Sequence, residues 1–585
     1  FSDLEKALSI AKTYSLTSHV KILQNKITEW LSGTEEDLKN YFIEAKDEIL
    51  GSYSPIFGID FGTTNSVAAI FNKKSREVEI IPTPQGYEFM PSYFGIDENN
   101  HPIFGEKARL RSLKSPHCVV ARVKRSLGER KRYTLNKESY RCEEIVAKIL
   151  QRLRLNVEAY LKLKVETKLK NLLKTNNLRF PEDVLKEFLN NQKGYNKITE
   201  VVLTVPAYFN DNQKRATRDS AEIAGLRVRR LLHEPTSAAL AYCYQYPYKG
   251  RLAIVDLGGG TLDVSILEVE EGVYDIQIVG GDIKLGGSDI DAKLVQHVIK
   301  DIKSTLKVNI DEKTHGIEIA RLRNACEHLK INLSSVNKAS MKLKHYLNRP
   351  QYVFTLRRTE LEKLSKSILN RIETTIQKTI NEFYSKVDHF ILVGNATKMP
   401  AVITLAEQCI RAKHLRGINP GTVVATGAAL EGAVLSGDLT EVLLLDIVPH
   451  SLGIVTINPM TDEKEFSILI KKSSRIPIKR SNVYTTKVDN QPNVHIEIYQ
   501  GESNELHKNY FLGDFILSGI PPALAHIPKI EVFFDIDTDC ILTVTAKDKG
   551  TGNQQSIKIE GAVALSPQEK QNLCRYYQQR ENIYP

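Results

Sequence analysis

Two short segments that share one pattern constrain the fold of this chain more than any other feature. "DLGGGTLDVS" (Asp256 to Ser265) follows the apolar run "RLAIV" and sets three glycines between two aspartates. "IFGIDFGTTNSVAAIF" (Ile56 to Phe71) repeats the order of apolar run, aspartate, Gly-Thr turn and second strand-like run. Because glycine lacks a Cβ atom, such turns let backbone N–H groups approach an anion closely. One such segment is also typical of a plain hairpin turn, but two of them predict similar halves that face a phosphate ligand across a cleft.

The aspartates of the two segments, Asp60 and Asp256, occupy equivalent positions in the repeated pattern. A carboxylate at the end of each strand is suited to hold a hydrated cation beside the phosphates. The sequence contains no G-x-x-x-x-G-K-[ST] motif, and no G-x-G-x-x-G opens a helix. Phosphate binding at a helix N-terminus is therefore disfavoured.

The chain of 585 residues is long enough for roughly three or four domains. Apolar spacing predicts a helical extension first, then strand-like runs that alternate with long helices, as in α/β proteins. A short apolar linker follows, which is typical either of a buried strand or of an exposed sticky segment. A region of period-two alternation then predicts a β-sandwich. The predicted boundaries are 1–55 for the extension, 56–438 for the α/β unit with a helical excursion at 153–197, 439–446 for the linker, 447–560 for the sandwich and 561–585 for a helical tail.

The net charge of +10 includes two basic runs, at residues 121–133 and 162–174. Nucleic-acid binding and a solvated helical face both explain such runs, and the lack of interleaved aromatic residues favours the solvated face. No apolar run reaches the ~18 residues of a membrane span, and no signal peptide is recognisable. Seven cysteines without C-x-x-C spacing indicate reduced thiols and no metal cluster. We therefore expect a cytoplasmic protein without nucleic-acid or membrane partners.

A series of motifs, in order along the chain, resembles the seventy-kilodalton heat-shock proteins, ATP-driven chaperones of the DnaK type. They are "GIDFGTTNS", "TVPAYFNDNQKRATRDSAEIAGL", "HEPTSAALAY", "DLGGGTLDVS", "LGGSDID", "ACEHLKINLSS", "ILVGNATKMP", "VLLLDIVPHSLGI" and "FDIDTDCILTVTAKDKGTG". The resemblance covers residues 57–568. It implies an actin-like, two-lobed ATPase domain followed by an all-β peptide-binding sandwich. Of the family's helical lid, only the first turns follow Leu565.

The resemblance implies roles for the residues around the two turns. Asp60 and Asp256 would hold Mg²⁺ through water. Lys124 would reach the γ-phosphate and orient the attacking water, and Glu234 would complete this arrangement. The simpler alternatives are a surface base at Lys124 and a strand end at Glu234. The implied catalytic set is Asp60, Lys124, Glu234, Asp256, Thr261 and Asp263.

The nucleotide itself, ATP or ADP, would be held by both turns and by an adenosine pocket. Glu327, Lys330 and Ser334 share one helical face by their spacing, although an exposed Glu327–Lys330 ion pair is an alternative. The implied nucleotide-binding set is Gly62, Thr63, Thr64, Asn65, Gly258, Gly259, Gly260, Gly286, Gly287, Glu327, Lys330, Ser334, Gly394, Asn395 and Lys398.

The sandwich would present a cleft for an extended apolar peptide, since alternate strand residues face one side. Placement of these side chains in the ordinary core is the alternative. The implied peptide-binding set is Ile454, Thr456, Ile457, Tyr484, Lys487, Gln491, Val494 and Ile496. The implied interdomain set is Asp211, Lys214, Val442, Leu443, Leu444, Leu445 and Asp446.

Several positions depart from the family pattern. This chain has Asn395 where the family has a glycine, Lys398 where it has an arginine, and Gly421-Thr422 where it has an acidic pair. These differences predict weaker nucleotide binding. Lys214 replaces an arginine where the linker docks. Lys487 replaces a small residue near the peptide and favours acidic clients or a narrower set of them. Cys540 replaces a turn glycine.

We therefore predict an ATP-dependent chaperone that binds and releases extended apolar polypeptides, with Mg²⁺ and K⁺ as cations. Expected partners are unfolded polypeptides, a J-domain co-chaperone and a nucleotide-exchange factor. The alternative is a weakly hydrolysing relative that serves as a nucleotide-regulated scaffold or exchange factor. A sugar-kinase or filament relative of the same fold is opposed by the linker and the sandwich. In the extension, residues 23–50 resemble a helical hairpin of the family's lid, and a generic hairpin is the alternative.

Overall fold

The computed structural model of the protein describes residues 2–13, 17–30, 34–192, 194–440, 442–458, 460–538, 541–558 and 567–579. The chain begins with three helices, α1 Ser2–Thr13, α2 Thr17–Trp30 and α3 Glu35–Ser52. The Thr34 side chain accepts a hydrogen bond from the Asp37 N–H, and Asp37 in turn accepts one from the Thr34 N–H. This capping box fixes where α3 begins.

A first lobe follows, built on a mixed sheet with strand order β11-β10-β1-β2-β3, in which β4 also pairs with β2. β1 pairs in parallel with β10 and antiparallel with β2. Two short 3₁₀ helices lie at Pro116–Cys118 and Val123–Ser126. The elements of this lobe are β1 Ile56–Phe61, β2 Asn65–Asn72, β3 Glu77–Ile81, β4 Met90–Pro91, β5 Tyr93–Ile96, β6 Pro102–Phe104, α4 Gly105–Ser112, β7 Val119–Ala121, β8 Arg132–Leu135, β9 Glu138–Arg141, α5 Cys142–Thr175, α6 Glu182–Asn191, β10 Glu200–Val205, α7 Asp211–Ile223 and β11 Arg227–His233.

A second lobe repeats this arrangement in a sheet of order β18-β17-β12-β13-β14-β19. β12 pairs in parallel with β17 and antiparallel with β13, as β1 does with β10 and β2. A 3₁₀ helix lies at Asn395–Lys398. The elements are α8 Glu234–Gln245, β12 Gly250–Leu257, β13 Leu262–Glu270, β14 Val273–Asp282, α9 Gly287–Leu306, α10 Gly316–Ser335, β15 Lys338–Tyr346, β16 Arg349–Arg357, α11 Arg358–Leu364, α12 Lys366–Glu382, β17 His389–Val393, α13 Pro400–Ile410, β18 Lys413–His414 and α14 Val423–Leu435.

The linker and a β-sandwich complete the chain. The linker strand β19 pairs in parallel with β14 and so extends the sheet of the second lobe. The sandwich consists of two sheets, β21-β20-β23-β24 and β22-β25-β26-β27. A 3₁₀ helix lies at Leu506–Lys508. The elements are β19 Leu443–Leu445, β20 Leu452–Ile457, β21 Lys464–Ile470, β22 Ile478–Tyr484, β23 Asn493–Gln500, β24 Tyr510–Ser518, β25 Ile530–Ile536, β26 Leu542–Asp548, β27 Gln554–Lys558 and α15 Pro567–Gln579. The predicted fold class, an α/β unit followed by an all-β unit, is confirmed.

The helical extension packs on the first lobe. Leu38, Phe42 and Ala45 of α3 form one apolar cluster with buried leucines of α5 and α6. α5 runs unbroken over 34 residues, so the helical excursion predicted from residue 153 is a continuation of a helix that starts at Cys142. The residues predicted to resemble a lid hairpin therefore include a helix that packs on this lobe. α15, in contrast, packs on α7, where Lys570 pairs with Asp219 at 2.7 Å.

Among the described residues, no helix is both long enough and apolar enough to cross a bilayer.

Candidate functional site

The two Asp-Gly-Thr turns meet in the cleft between the lobes. A Cβ atom on Gly259 would lie 2.5 Å from Thr64 Cγ2, and one on Gly260 would lie 2.5 Å from Thr63 Oγ1. Only glycine permits so close an approach, which explains the glycines at positions 259 and 260 of the second turn. The structure thus brings together the two segments predicted to bind phosphate. In the sequence, Thr64 of the first turn and Gly258 of the second turn are 194 residues apart.

A buried ion pair lies beside these turns. The Lys124 ammonium donates a hydrogen bond to Glu234 Oε1 at 2.6 Å, and the two residues are only 2% and 6% exposed. Lys124 Nζ also lies 5.9 Å from the ring centre of Phe61 and 5.7 Å from that of Phe209. Glu234 is the first residue of α8, and Lys124 belongs to the 3₁₀ helix that precedes Leu127. Lys124 is therefore not a surface lysine. Glu234 does more than end a strand, because its side chain is buried and pairs with Lys124.

Three buried aspartates surround this pair. Burial and the neighbouring Glu234 raise the pKa of Asp60, and Lys124 and Thr204 offset only part of this effect. Burial, Glu234 and the two other aspartates raise the pKa of Asp256 well above its usual value. Burial and Glu234 raise the pKa of Asp263 to about 7, although it accepts a hydrogen bond from the Tyr208 N–H at 2.9 Å. The cleft therefore holds more negative than positive charge. A bound cation would balance this charge and lower the pKa values of the aspartates.

The cavity at the turns has a volume of about 80 Å³. A second cluster of contacts holds the lobes together around it: Arg125 pairs with Asp289 and donates to the Gly260 carbonyl at 3.0 Å, and Arg109 of α4 donates to Asn324 of α10. Ligand pockets commonly measure ~300 Å³ or more. The cavity is therefore smaller than a typical ligand pocket, and these contacts hold the two lobes closed around it.

Most of the predicted phosphate-binding residues line this cavity, and several residues that the sequence did not indicate join them. Gly394, with φ of +82°, lies so close to Leu257 O that a Cβ would be 2.3 Å away, and Asn395 follows it at the cavity wall. The cavity is also lined by Val67 of the first quoted segment and by Gly421, one of the departures from the family pattern, and by three residues that no motif indicated, Phe89, Pro420 and Val424. The predicted lining residues are Asp60, Gly62, Thr63, Thr64, Asn65, Lys124, Glu234, Asp256, Gly258, Gly259, Thr261, Gly394 and Asn395.

The remaining predicted nucleotide residues lie just outside this cavity. Gly286 and Gly287 lie against the second turn, where the Gly287 N–H donates to the Gly258 carbonyl at 3.0 Å. Lys330 pairs with Asp291 at 2.8 Å and donates to the Gly287 carbonyl at 3.2 Å. Lys330 therefore pairs with Asp291 and not with Glu327, the alternative that the sequence left open. Ser334 Oγ donates to the carbonyl of Lys330 at 3.4 Å on the same helix, and Lys398 is exposed.

The linker lies in the docked position. Leu444 is buried at 8% exposure, and its neighbour Leu443 is 53% exposed. Asp446 is buried and accepts a hydrogen bond from the Ile447 N–H at 2.8 Å, and its Oδ1 lies 2.9 Å from His233 Nδ1. Burial alone would raise the pKa of Asp446, but His233 and this backbone N–H lower it below its usual value. His233 opens the motif "HEPTSAALAY" and directly precedes Glu234, but no role for it was predicted from the sequence.

The sandwich contacts the first lobe at α7. Gln500 accepts a hydrogen bond from the N–H of Asp211, which like Lys214 is buried. The carbonyl of Leu542 accepts one from Arg215 at 3.0 Å. His450 packs on Tyr208, with ring centres 4.2 Å apart. Asp211 and Lys214, two of the predicted interdomain residues, therefore lie at this interface, where no role was predicted from the sequence for Gln500, Tyr208 or His450.

The predicted peptide-binding residues are divided between the core and the surface of the sandwich. Ile454 and Ile496 are buried in its apolar core, at 4% and 2% exposure, and Tyr484 and Val494 pack partly buried against that core. Ile457 is 42% exposed and Thr456 is half-buried. Lys487 is exposed and pairs with Asp462 at 2.5 Å, and Gln491 accepts from the Lys487 N–H. In this state the structure does not unite the eight residues in one open cleft. Cys540 lies outside the described residues.

The chain is similar to known proteins over most of its length. The family model described as "Hsp70 protein" matches residues 56–582. A protein named "Chaperone protein DnaK" from Endomicrobium trichonymphae is 37% identical over 539 residues, which are 90% of this chain and 80% of that protein. Proteins of the same name from Cyanidium caldarium and from Elusimicrobium minutum (strain Pei191) are 35% and 36% identical, each over 89% of this chain and over 82% and 79% of their own lengths.

The family match covers both lobes, the linker and the sandwich, and these relatives align with about nine-tenths of the chain. The chain therefore belongs to the Hsp70 family, whose members are ATP-hydrolysing molecular chaperones, and the resemblance inferred from its motifs is confirmed.

Proposed function

We propose that ATP binds between the two turns, with its phosphates against Thr63, Thr64 and the backbone of residues 258–261, and that Lys124 and Glu234 carry out its hydrolysis. The observation that supports this most is the buried Lys124–Glu234 pair at 2.6 Å beside both turns. A lysine held in a fixed position by a carboxylate is suited to orient one water molecule toward a phosphorus atom.

The charges in the cleft support a magnesium ion between Asp60 and Asp256. Among the described residues at this point, four buried carboxylates face one lysine, so a dication compensates charge that the protein leaves unbalanced. These two aspartates would hold the ion through its water shell, because carboxylates are the ligands that Mg²⁺ prefers. When bound, the ion neutralises charge on the β- and γ-phosphates. The remaining negative charge favours a K⁺ ion as well.

Other side chains in the cleft position Lys124 and accept protons. Glu234 accepts the Lys124 hydrogen bond and so fixes the ammonium, while the rings of Phe61 and Phe209 shield it from bulk water. Thr261 lies in the second turn and Asp263 in the strand β13 that follows it, and Asp263, with a pKa raised to about 7, is suited to accept a proton near neutral pH.

The docked linker supports coupling between the ATP site and peptide binding. The Asp446–His233 contact joins the end of the linker to the residue that precedes Glu234. A change of the lobes on ATP hydrolysis would therefore reach the linker directly. The burial of Ile454 and Ile496 in this docked state supports a peptide cleft that forms fully only after the sandwich leaves the lobes.

The partners follow from the same features. The closed lobes support a nucleotide-exchange factor that opens them, since Arg125–Asp289 and Arg109–Asn324 must separate before a nucleotide leaves. The linker and α7 form the surface on which a J-domain co-chaperone would act. The six described cysteines are free, which supports a cytoplasmic location.

The experiment that tests this proposal is single-turnover ATP hydrolysis by Lys124→Ala. We expect hydrolysis to slow by about 100-fold or more, because the water is no longer oriented, while ATP affinity changes little. The matched control is Lys131→Ala, which removes an exposed lysine seven residues away on the same lobe. Unchanged hydrolysis in Lys124→Ala would remove this lysine from the mechanism. Negligible hydrolysis by the wild-type protein would favour the nucleotide-regulated scaffold.

A further inference from the structure

A second cavity lies on the first lobe beside the nucleotide cleft. It has a volume of about 510 Å³ and lies between the segment around β4, the start of α4 and the middle of α5. Its walls combine polar side chains with apolar ones, among them Tyr87, Phe89, Met90, Pro91 and Phe104. Cavities of ~300–1,000 Å³ with apolar walls and a few polar groups are typical of small-molecule sites. Except for Phe89, it shares no residue with the wall of the nucleotide cleft.

Two polar side chains of α5 line this cavity and have no partner within the part of the chain that the structure describes. Arg152 and Asn156 are four residues apart and so lie on the same face of the helix. Burial lowers the pKa of Arg152, and no charge in the described part of the chain offsets this effect. Asn156 is 5% exposed, and its side chain makes no hydrogen bond to any residue that the structure describes. The polar atoms of both side chains line the cavity and have no partner among the described residues, so a ligand that pairs with both would gain hydrogen bonds there.

The other charges of the cavity leave it positive. Glu106, the acidic residue of its wall, is held by Arg109 through two hydrogen bonds of 2.7 and 2.8 Å. Lys107 is exposed at the edge. The carboxylate of Glu106 is thus already neutralised, and Arg152 and Lys107 remain to attract an anion.

We propose that this cavity binds a small organic carboxylate with an aromatic body. The guanidinium of Arg152 pairs with the carboxylate, the geometry in which arginine binds most strongly. The Asn156 amide donates a further hydrogen bond to it. The aromatic body packs between Phe89 and Phe104, where the walls are apolar and offer ring edges and faces.

The site is separate from the nucleotide but touches the strand that supports the first turn. In β4, Met90 pairs with Ser66 and Pro91 pairs with Asn65, and the Ser92 N–H donates to the Thr64 carbonyl at 2.8 Å. A ligand in this cavity would therefore lie against the strand that pairs beside the first phosphate turn, next to the nucleotide cleft, with which the cavity shares Phe89.

Fluorine NMR with 4-(trifluoromethyl)benzoate tests the proposal on the full chain saturated with ADP. We expect saturable line broadening by the wild-type protein. Arg152→Gln should weaken binding at least ~10-fold and Asn156→Ala by less, since the first removes a charged hydrogen-bond partner. The neutral 4-(trifluoromethyl)benzamide should bind wild type at least ~10-fold more weakly than the benzoate. Arg349→Gln, at an exposed arginine of β16, is the matched control and should bind as wild type does.

Thermal unfolding and ATP hydrolysis of Arg152→Gln, expected to equal those of the wild type, verify that this variant is folded. The proposal is overturned if the wild type shows no saturable binding, if Arg152→Gln binds the benzoate as tightly as wild type, or if benzamide binds equally well. Saturable binding of the benzoate to the nucleotide-free protein that is absent from the ADP-saturated protein would also overturn it, because the ligand would then occupy the nucleotide cleft.

Discussion

At the scale of single residues, sequence motifs identified most of the side chains around the cleft but not the relations among them. Lys124 and Glu234 were predicted from separate motifs 110 residues apart, and only the folded chain gives their 2.6 Å contact and near-complete burial. Phe89 lies outside the quoted motifs, and His233 was given no role within its motif, because an aromatic residue in a loop and a histidine at a strand end have no distinctive spacing. The sequence predicts residues that belong to a recognisable motif. It does not predict residues that join the site only because the fold brings them close to it.

The contact between the turns makes a prediction for two glycines of the same turn. Gly260→Ala places a methyl group 2.5 Å from Thr63 Oγ1 and 2.8 Å from Arg125 Nε, whereas Gly258→Ala meets nothing closer than 3.9 Å. We expect Gly260→Ala to lower the free energy of unfolding of the nucleotide-free protein by about 1–3 kcal/mol, the usual cost of overpacking. Gly258→Ala should change it little. Urea unfolding of both variants measures the difference, and equal stabilities would mean that the turns do not touch in solution.

At the scale of elements, period and turn signals predicted the strands of both lobes and the sandwich, because they are bounded by glycines and by changes of period. The length of α5 was not predicted. Its lysine- and asparagine-rich second half suggested a separate excursion, but α3 and α6 cover its apolar face and allow one helix of 34 residues. Tertiary packing here decides what local composition leaves open.

The packing of α3 on this helix predicts unequal effects at two neighbouring positions. Phe42 is 5% exposed and packs edge-on against Phe188 and Tyr195, with ring centres 5.5 and 5.1 Å apart, whereas Ile43 is 50% exposed. Phe42→Ala should cost about 3–5 kcal/mol of local stability, and Ile43→Ala much less. Amide hydrogen exchange of α3 and α6 measures this. Equal protection of α6 in both variants would contradict the packing of the extension on the first lobe.

At the scale of the whole molecule, the sequence indicated the order of the units and the linker, but it could not indicate which state the linker adopts. "VLLL" is compatible with a buried strand and with an exposed segment, and the structure pairs it with β14. Long-range contacts such as Asp446–His233 and His450–Tyr208 define this docked state, and they join residues more than 200 positions apart.

His450 makes docking sensitive to pH. Burial, with Lys214 and Lys472 nearby, lowers its pKa from 6.5 to about 4, although its contact with the Tyr208 carbonyl opposes this, and Tyr510 is the other ring beside it. If undocking hydrates the ring, the undocked state binds more protons below pH 6.5. Docking is then fully favourable above that pH and is lost progressively as the pH falls toward 4. At pH 5.5 the cost is about 1.4 kcal/mol, or tenfold.

Interdomain fluorescence energy transfer at pH 7.5 and 5.5 measures the docked fraction of the ATP-bound protein. His450→Asn should lose the tenfold response while it keeps whatever pH dependence other groups contribute. An identical response in this variant and in wild type would assign the effect elsewhere.

The central claim, that the linker strand couples ATP hydrolysis to peptide binding, is tested most directly by two neighbouring leucines. Leu444 is 8% exposed and Leu443 is 53% exposed in the same three-residue strand. Single-turnover ATP hydrolysis is measured with and without a short extended leucine-rich peptide. Since a charge cannot be buried without a partner, Leu444→Asp should abolish stimulation by the peptide, while Leu443→Asp should largely retain it. Full stimulation in Leu444→Asp would contradict the claim.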